Sequence, residues 1–167
     1  MSAPTDLQER FPSAVLQVGA LDDGLPLLCV SPEALASIAA AAKELGFDYL
    51  ACITGVDYPS DDQIEVIYNL YNYHRREALV IKVRIPRGVA RLPSVSGVWR
   101  AALFLERETY DLLGVHFEGH PELKRILLPE PWVGHPLRKD YDMNRQQFVS
   151  KGPQGEDIVS FDPQEGW

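Results

Sequence analysis

Residues 49–86 read YLACITGVDYPSDDQIEVIYNLYNYHRREALVIKVRIP, and the pattern within them decides the fold. Leu79, Ile81, Val83 and Ile85 alternate with Val80, Lys82 and Arg84. That is the two-residue period of a strand with one face on a core and the other near water. Two further runs rich in Ile, Val and Tyr precede it, so three strands are expected at 49–58, 64–73 and 78–85. The turns between them fall at Pro59-Ser60-Asp61-Asp62 and His74-Arg75-Arg76. A sheet that is apolar on one face needs helices over that face. Upstream, 14–19 and 26–30 read as a hairpin around the Asp22-Asp23-Gly24 turn. A helix follows, with Ser31 as N-cap, Pro32 at its first position, Leu35, Ile38, Ala42 and Leu45 at helical spacing, Lys43 in the last turn and Gly46 as terminator. Downstream, 86–93 read as a basic loop and 96–113 as a second helix ended by Gly114. The expected class is α+β: a two-layer sandwich with a mixed or antiparallel sheet of about five strands, helices on one face, and an extended C-terminal tail. Residues 1–114 form the domain, and 115–167 a proline-rich loop and docking tail.

The bulk numbers agree with one domain, because 167 residues at 46% hydrophobic composition can bury a core without disulfides or metals. A net charge of -8 argues against nucleic acid or an anionic membrane surface as the main partner, since both reward clustered Lys and Arg. The longest small apolar run, 34–42, falls well short of the roughly 18 residues a spanning helix requires. The opening MSAPTDLQERF has neither a basic segment followed by an apolar one nor an Arg-rich, acid-poor character, so a reducing cytoplasm is expected. Cys29 and Cys52 lie in apolar strand-like runs and read as small core hydrophobes. Two thiols cannot hold an iron–sulfur cluster that needs four.

The chemistry-bearing stretch is 106–141, ERETYDLLGVHFEGHPELKRILLPEPWVGHPLRKDY. Its seven acids, five Lys or Arg and three histidines would serve acid/base catalysis, a metal site or a polar docking surface. Glu106 shares a stripe with Trp99, Leu103, Tyr110 and Leu113, which makes it either a catalytic acid with a raised pKa or a buried, paired carboxylate; the paired carboxylate is the commoner arrangement. Arg107 and Asp111 are spaced as an i,i+4 pair. His116 and His120 would face one way on a helix, with His135, Glu118 or Glu122 as a third metal ligand, but Gly114, Gly119 and Pro121 make a helix there a poor fit. A stand-alone metal hydrolase is therefore the minor reading. Neither GxSxG, GxGxxG nor GxxxxGK[ST] occurs. Pro121, Pro129, Pro131 and Pro136 leave extended chain with one short helical turn near 122–126. Arg138, Lys139, Asp140 and Tyr141, with Trp132, have the composition of interface anchors. From Asp142 on, ordering 26 residues costs about 1–2 kcal/mol each in backbone entropy. The few apolar side chains there call for something to lie on.

These residues resemble the 30 kDa subunit of respiratory complex I, the proton-pumping NADH:quinone oxidoreductase. The resemblance rests on Glu106-Arg107-Glu108, Asp111-Leu112-Leu113, His120, Lys124, Ile126-Leu127 and the run LLPEPWVGHPLRKDY. It implies a peripheral-arm subunit that binds no cofactor, packs against the 49 kDa quinone-site subunit and neighbouring arm subunits, and supports electron transfer to quinone. FMN, iron–sulfur clusters, NADH and quinone would then sit on other subunits, none of its residues would be catalytic, and the chain would lie peripherally on the cytoplasmic side of a bacterial inner membrane. Relatives in ferredoxin-driven complexes and membrane-bound hydrogenases leave the electron donor open. On this reading Glu106, Arg107 and Glu108 anchor the second helix to the loop after it. Asp111, His120, Lys124, Arg125, Trp132 and His135 have structural or interface roles, as Tyr141 does, and Arg138, Lys139 and Asp140 contact a partner.

Overall fold

The structure, a computed structural model, describes residues 2–144 and 146–161 of the chain. In chain order its elements are α1 (Ala3–Arg10), β1 (Val15–Ala20), β2 (Pro26–Val30), α2 (Leu35–Glu44), β3 (Tyr49–Tyr58), β4 (Gln63–Asn72), β5 (Glu77–Pro86), β6 (Arg91–Pro93), α3 (Ala102–Leu113), β7 (His116–Glu118), β8 (Phe148–Lys151) and β9 (Asp157–Ser160). The main sheet runs β1-β2-β5-β4-β3. It is antiparallel except where β2 lies parallel to β5, in register Leu27 to Val80 and Val30 to Val83. The parallel pair arises because α2 and the β3–β4 hairpin intervene between those strands, long enough for a crossover.

The alternation read in the sequence sorts the two faces. Leu28, Val30, Ile64, Val66, Tyr68, Leu70, Leu79, Ile81, Val83 and Ile85 point to one side and are buried with Leu7 of α1, Leu35, Ile38 and Ala42 of α2, and Ala102 and Leu113 of α3. All three helices therefore cover a single face, the expected α+β arrangement. Each such aliphatic side chain contributes about 1.5–3 kcal/mol when fully buried, so this face supplies most of the driving force. Gly55 of β3 lets α3 approach: a Cβ there would collide with Leu113 Cδ1.

Several details differ from the sequence reading. The helix α1 was not anticipated, because eight residues are too few to display a period. It stands on Leu7, which is fully buried, and on an ion pair between Arg10 and Glu44 of α2 at 2.7 Å. Ser31 precedes a 3-10 turn at Pro32–Ala34 rather than α2 itself and makes no side-chain cap bond. The third helix begins at Ala102, six residues later than expected; Trp99 sits in turns before it, donating Nε1–H to the carbonyl of Phe47 at 2.9 Å. Part of the basic loop is a strand, since β6 pairs in parallel with β7. The core runs on past Gly114, with Val115 and Phe117 buried. No helical turn forms at 122–126. The tail carries a hairpin, β8 paired with β9, where extended chain was expected. Cys29 and Cys52 are partly buried free thiols on the helix-free face, outside the core; Cys52 Sγ accepts a hydrogen bond from Asn69 Nδ2 at 2.9 Å.

Candidate functional site

The charged stretch after α3 folds back over the end of that helix, and Asp111 organises it. Its side chain is fully buried. Asp111 Oδ1 takes Arg125 Nη1–H at 2.7 Å, while Oδ2 accepts the backbone N–H groups of Ile126, Leu127 and Leu128 at 3.0, 2.7 and 2.9 Å. Burial alone would raise its pKa. The Leu128 amide, Arg125 and the Ile126 and Leu127 amides more than offset that, and the group lies below the usual carboxylate range. Arg125 also donates to the carbonyls of Trp132 and Gly134, so one guanidinium ties three segments together.

A second layer closes on the helix terminus, whose last carbonyls lack intrahelical partners. His135 Nδ1 lies 2.9 Å from the Asp111 carbonyl, Leu137 N–H reaches Leu112 O, and Arg138 Nε–H reaches Leu113 O at 2.7 Å. Burial holds the His135 pKa below its ordinary value despite the Asp111 carbonyl, and Arg125 and Arg138 push the same way. The chain turns at Gly114 with φ +74°, a left-handed conformation. Trp132 Nε1–H donates to Tyr141 Oη at 3.1 Å, which also accepts from Gln147. Val133, Gly134, His135, Arg138, Tyr141 and Gln147 are among the residues around an open groove of about 370 Å³.

The far end of this loop is fastened to the sheet by residues the sequence reading missed. Asp57 of β3, buried at 3% exposure, receives Arg87 Nε–H and Nη2–H at 2.6 and 3.0 Å and the Lys139 backbone N–H at 2.8 Å. Burial opposes ionisation here, yet Arg87 and the Lys139 amide hold the Asp57 pKa below its ordinary value. Arg87 bridges on to Asp140 at 2.9 Å. The signal was present: a carboxylate at a core-facing strand position must find a donor.

Arg107 does not pair with Asp111; its guanidinium donates to the carbonyls of Lys124 and Arg125, which joins α3 to the loop after it. Glu106 joins α3 to the loop before it instead, accepting Ser94 Oγ–H at 2.6 Å and Val95 N–H at 2.7 Å. The Glu108 side chain is exposed and makes neither a hydrogen bond nor an ion pair with the described residues. Lys124 pairs with exposed Glu122. His120 has both ring nitrogens engaged, Nε2 with Leu103 O and Nδ1 accepting Glu122 N–H, while His116 is exposed on β7. Among the described residues no three of His, Cys, Asp and Glu converge as a metal site would require.

Burial raises the Glu106 pKa from an ordinary 4.5 to about 7, against the pull of Ser94 and Val95. The side chain is fully enclosed, so it can reach no substrate; its consequence is for stability. A native pKa above the unfolded one means the folded chain binds more protons between those values, so stability falls as pH rises from about 4.5 to about 7. Glu106→Gln keeps an acceptor for the Val95 N–H and offers an amide N–H to Ser94 Oγ, whose hydroxyl proton can turn to Ser96 Oγ instead. Its stability relative to wild type, from urea titrations, should improve by about 3 kcal/mol between pH 5 and pH 8. An unchanged difference at the two pH values would show that Glu106 stays ionised throughout.

Four apolar side chains stay exposed on this loop, Ile126, Leu127, Val133 and Leu137, the last three more than half exposed, among the exposed charges of Glu122, Lys124, Glu130, Lys139 and Asp140. The same stretch sits within a family match. The model of the family described as respiratory-chain NADH dehydrogenase, 30 Kd subunit, matches residues 28–147. The chain belongs to this family. The NADH-quinone oxidoreductase C subunit of Moorella thermoacetica is 41% identical over 142 residues, covering 84% of this chain and 94% of the relative. The chloroplastic NAD(P)H-quinone oxidoreductase J subunit of Chaetosphaeridium globosum is 46% identical over 122 residues, 71% and 73% of the two chains. Among solved structures, a trypsin-resistant fragment (1-134) of Nqo5 superposes with a TM-score of 0.65 at 30% identity, covering 73% of this chain and all of the fragment. A chain of the archaeal membrane-bound sulfane sulfur reductase superposes with a TM-score of 0.68 at 29% identity over 83% of each. The 30 Kd subunit match spans the whole Asp111 network and the groove residues from Val133 to Gln147. No helix among the described residues is long and apolar enough to cross a membrane.

Proposed function

We propose that this member of the 30 Kd subunit family is a peripheral-arm subunit of a proton-translocating NADH:quinone oxidoreductase that itself binds no redox group. In this reading it packs against the 49 kDa quinone-site subunit on the cytoplasmic face of a bacterial inner membrane. It supports electron flow from NADH through FMN and iron–sulfur clusters to quinone, all carried by other subunits. The observation that carries the reading is the contrast within the loop at 120–141: its backbone is pinned by buried charges, while Leu127, Val133 and Leu137 face solvent. Rigid backbone with outward apolar side chains lowers the ordering cost of association, as a docking surface needs. A second reading, the equivalent subunit of a related membrane-bound complex with another electron donor, is supported by the likeness to the sulfane sulfur reductase chain.

The purified chain should neither oxidise NADH nor reduce quinone. Restored to cells lacking it, the wild-type chain should return membrane NADH:quinone activity and a high-mass band on native gels. Arg138→Ala combined with Asp140→Ala should weaken both. Quinone reduction by the chain alone, or full assembly with the double variant, would sink the corresponding part of the proposal.

A further inference from the structure

One corner of the molecule, away from the loop after α3, has the chemistry of a separate contact. Among the described residues eleven of the fifteen Lys and Arg side chains are engaged within the chain, by an ion pair or by donation to a carbonyl. In a protein with 24 acids against 16 bases this is unsurprising. Arg75 and Arg76, like Arg100 and Lys139, are exposed and without an ion pair or side-chain hydrogen bond to any described residue, and they alone of the four are adjacent in the chain. They are not on a loose loop. Asn72, only 2% exposed, accepts the backbone N–H groups of His74 and Arg75 at 3.0 Å each and donates to the Leu45 carbonyl, which locks the β4–β5 turn onto the end of α2. Arg76 itself sits at φ +54°, a left-handed conformation that a non-glycine residue adopts only where its surroundings demand it.

Beside this turn, on the face of the sheet that no helix covers, Tyr73 packs edge-on against Tyr49 and Tyr71 with ring centroids 5.4 and 4.9 Å away. Tyr49 and Tyr73 are 47% and 64% exposed. Three tyrosines braced against one another, followed in the chain by two unpaired arginines on a turn whose backbone Asn72 fixes, combine the residue types that dominate binding energy.

We infer that the Tyr49-Tyr71-Tyr73 cluster and the Arg75-Arg76 turn dock an acidic polypeptide segment of a neighbouring subunit. The arginines would each take a carboxylate and the tyrosine rings the apolar part of the segment. Charge complementarity selects the partner: two cations fit a short acidic stretch, whereas the net charge of -8 over the whole chain disfavours the long polyanionic surface of a nucleic acid or an anionic bilayer. The inference rests on the chain being one subunit among several, but it concerns a surface distinct from the loop that carries that reading.

The test places a photo-crosslinker at the corner in the intact complex, with Tyr73→p-benzoylphenylalanine, and identifies the crosslinked peptide by mass spectrometry. The expected product is a peptide of another subunit with Asp or Glu flanking the attachment point. Arg75→Glu with Arg76→Glu should cut its yield on the order of tenfold, since carboxylates would then face carboxylates. The melting temperature of the isolated double variant should match wild type, because neither arginine is paired within the chain. With the complex assembled, no crosslink, a crosslink to lipid, to nucleic acid, to a second copy of this chain or to a segment without acids would overturn the inference and leave the subunit reading standing. A chain found in no complex would sink both.

Discussion

Asp111→Ala is expected to destabilise the chain by about 3–5 kcal/mol, the cost of leaving a buried charge without its partner. Removing this carboxylate strands Arg125, itself only 10% exposed at its side chain, and three backbone amides at 126–128 that have no other acceptor among the described residues. Because the loop from Leu123 to Tyr141 hangs on that group, its exposed apolar side chains should lose their arrangement even where the sheet survives. Asp111→Asn should fall between, since one oxygen remains for the amides while the charge that holds Arg125 is gone. Urea denaturation read by tryptophan fluorescence measures the effect, and native gels of complemented membranes measure assembly. A loss below about 1 kcal/mol, the level of an exposed pair, would mean water replaces the network. Its pH signature has a definite sign. Asp111 and Asp57 are held below their ordinary values when folded, so both stabilise the fold above the usual carboxylate range, and that stability is lost as pH falls through the lowered values. In Asp111→Ala the acid-induced loss should be smaller than in wild type.

Gly114→Ala should have the second-largest effect, and for two separable reasons. The backbone sits at φ +74°, which costs a residue with a Cβ about 1–2 kcal/mol. The added carbon would also lie 2.6 Å from the His135 ring and 3.1 Å from Arg138 Nη2, and both side chains are fastened to carbonyls at the end of α3. One of those two fastenings has to give. Gly119 supplies the control, since it has φ +82° but open space around a would-be Cβ. Gly119→Ala should show the backbone cost alone, and the excess at position 114 reads the displaced His135 and Arg138. Equal losses at the two positions would remove the close-approach argument.

The strands were readable because a two-residue alternation is written in adjacent side chains and fails if shifted by one. Residues 79–85 show it: Leu79, Ile81, Val83 and Ile85 are buried and Lys82 and Arg84 are not, while Val80, expected near water, is buried as well. Gly114 was readable for a related reason, since a helix end marks itself with a residue that tolerates the left-handed region. Charged residues carried less. Glu106, Arg107 and Glu108 are consecutive, yet one holds the preceding loop, one holds the following loop, and the third faces solvent. Helical geometry spreads neighbours around the axis by about 100° each, so adjacency in the chain says little about a shared partner.

Cys29 and Cys52 show the same limit from the other side: apolar neighbours in a strand place alternate residues on both faces, and which face the helices cover is settled by how the layers pack. Asp57 and Arg87 lie 30 positions apart, and Asp57 meets Lys139 across 82. Local pattern was enough for the class of fold, the positions of the five main strands and the density of charge after α3, because periodicity, turn chemistry and composition act over a few residues. The partners of each buried carboxylate came only with the folded chain. A buried charge is satisfied by whichever donors distant segments bring within about 3 Å, and no spacing along the chain encodes that meeting.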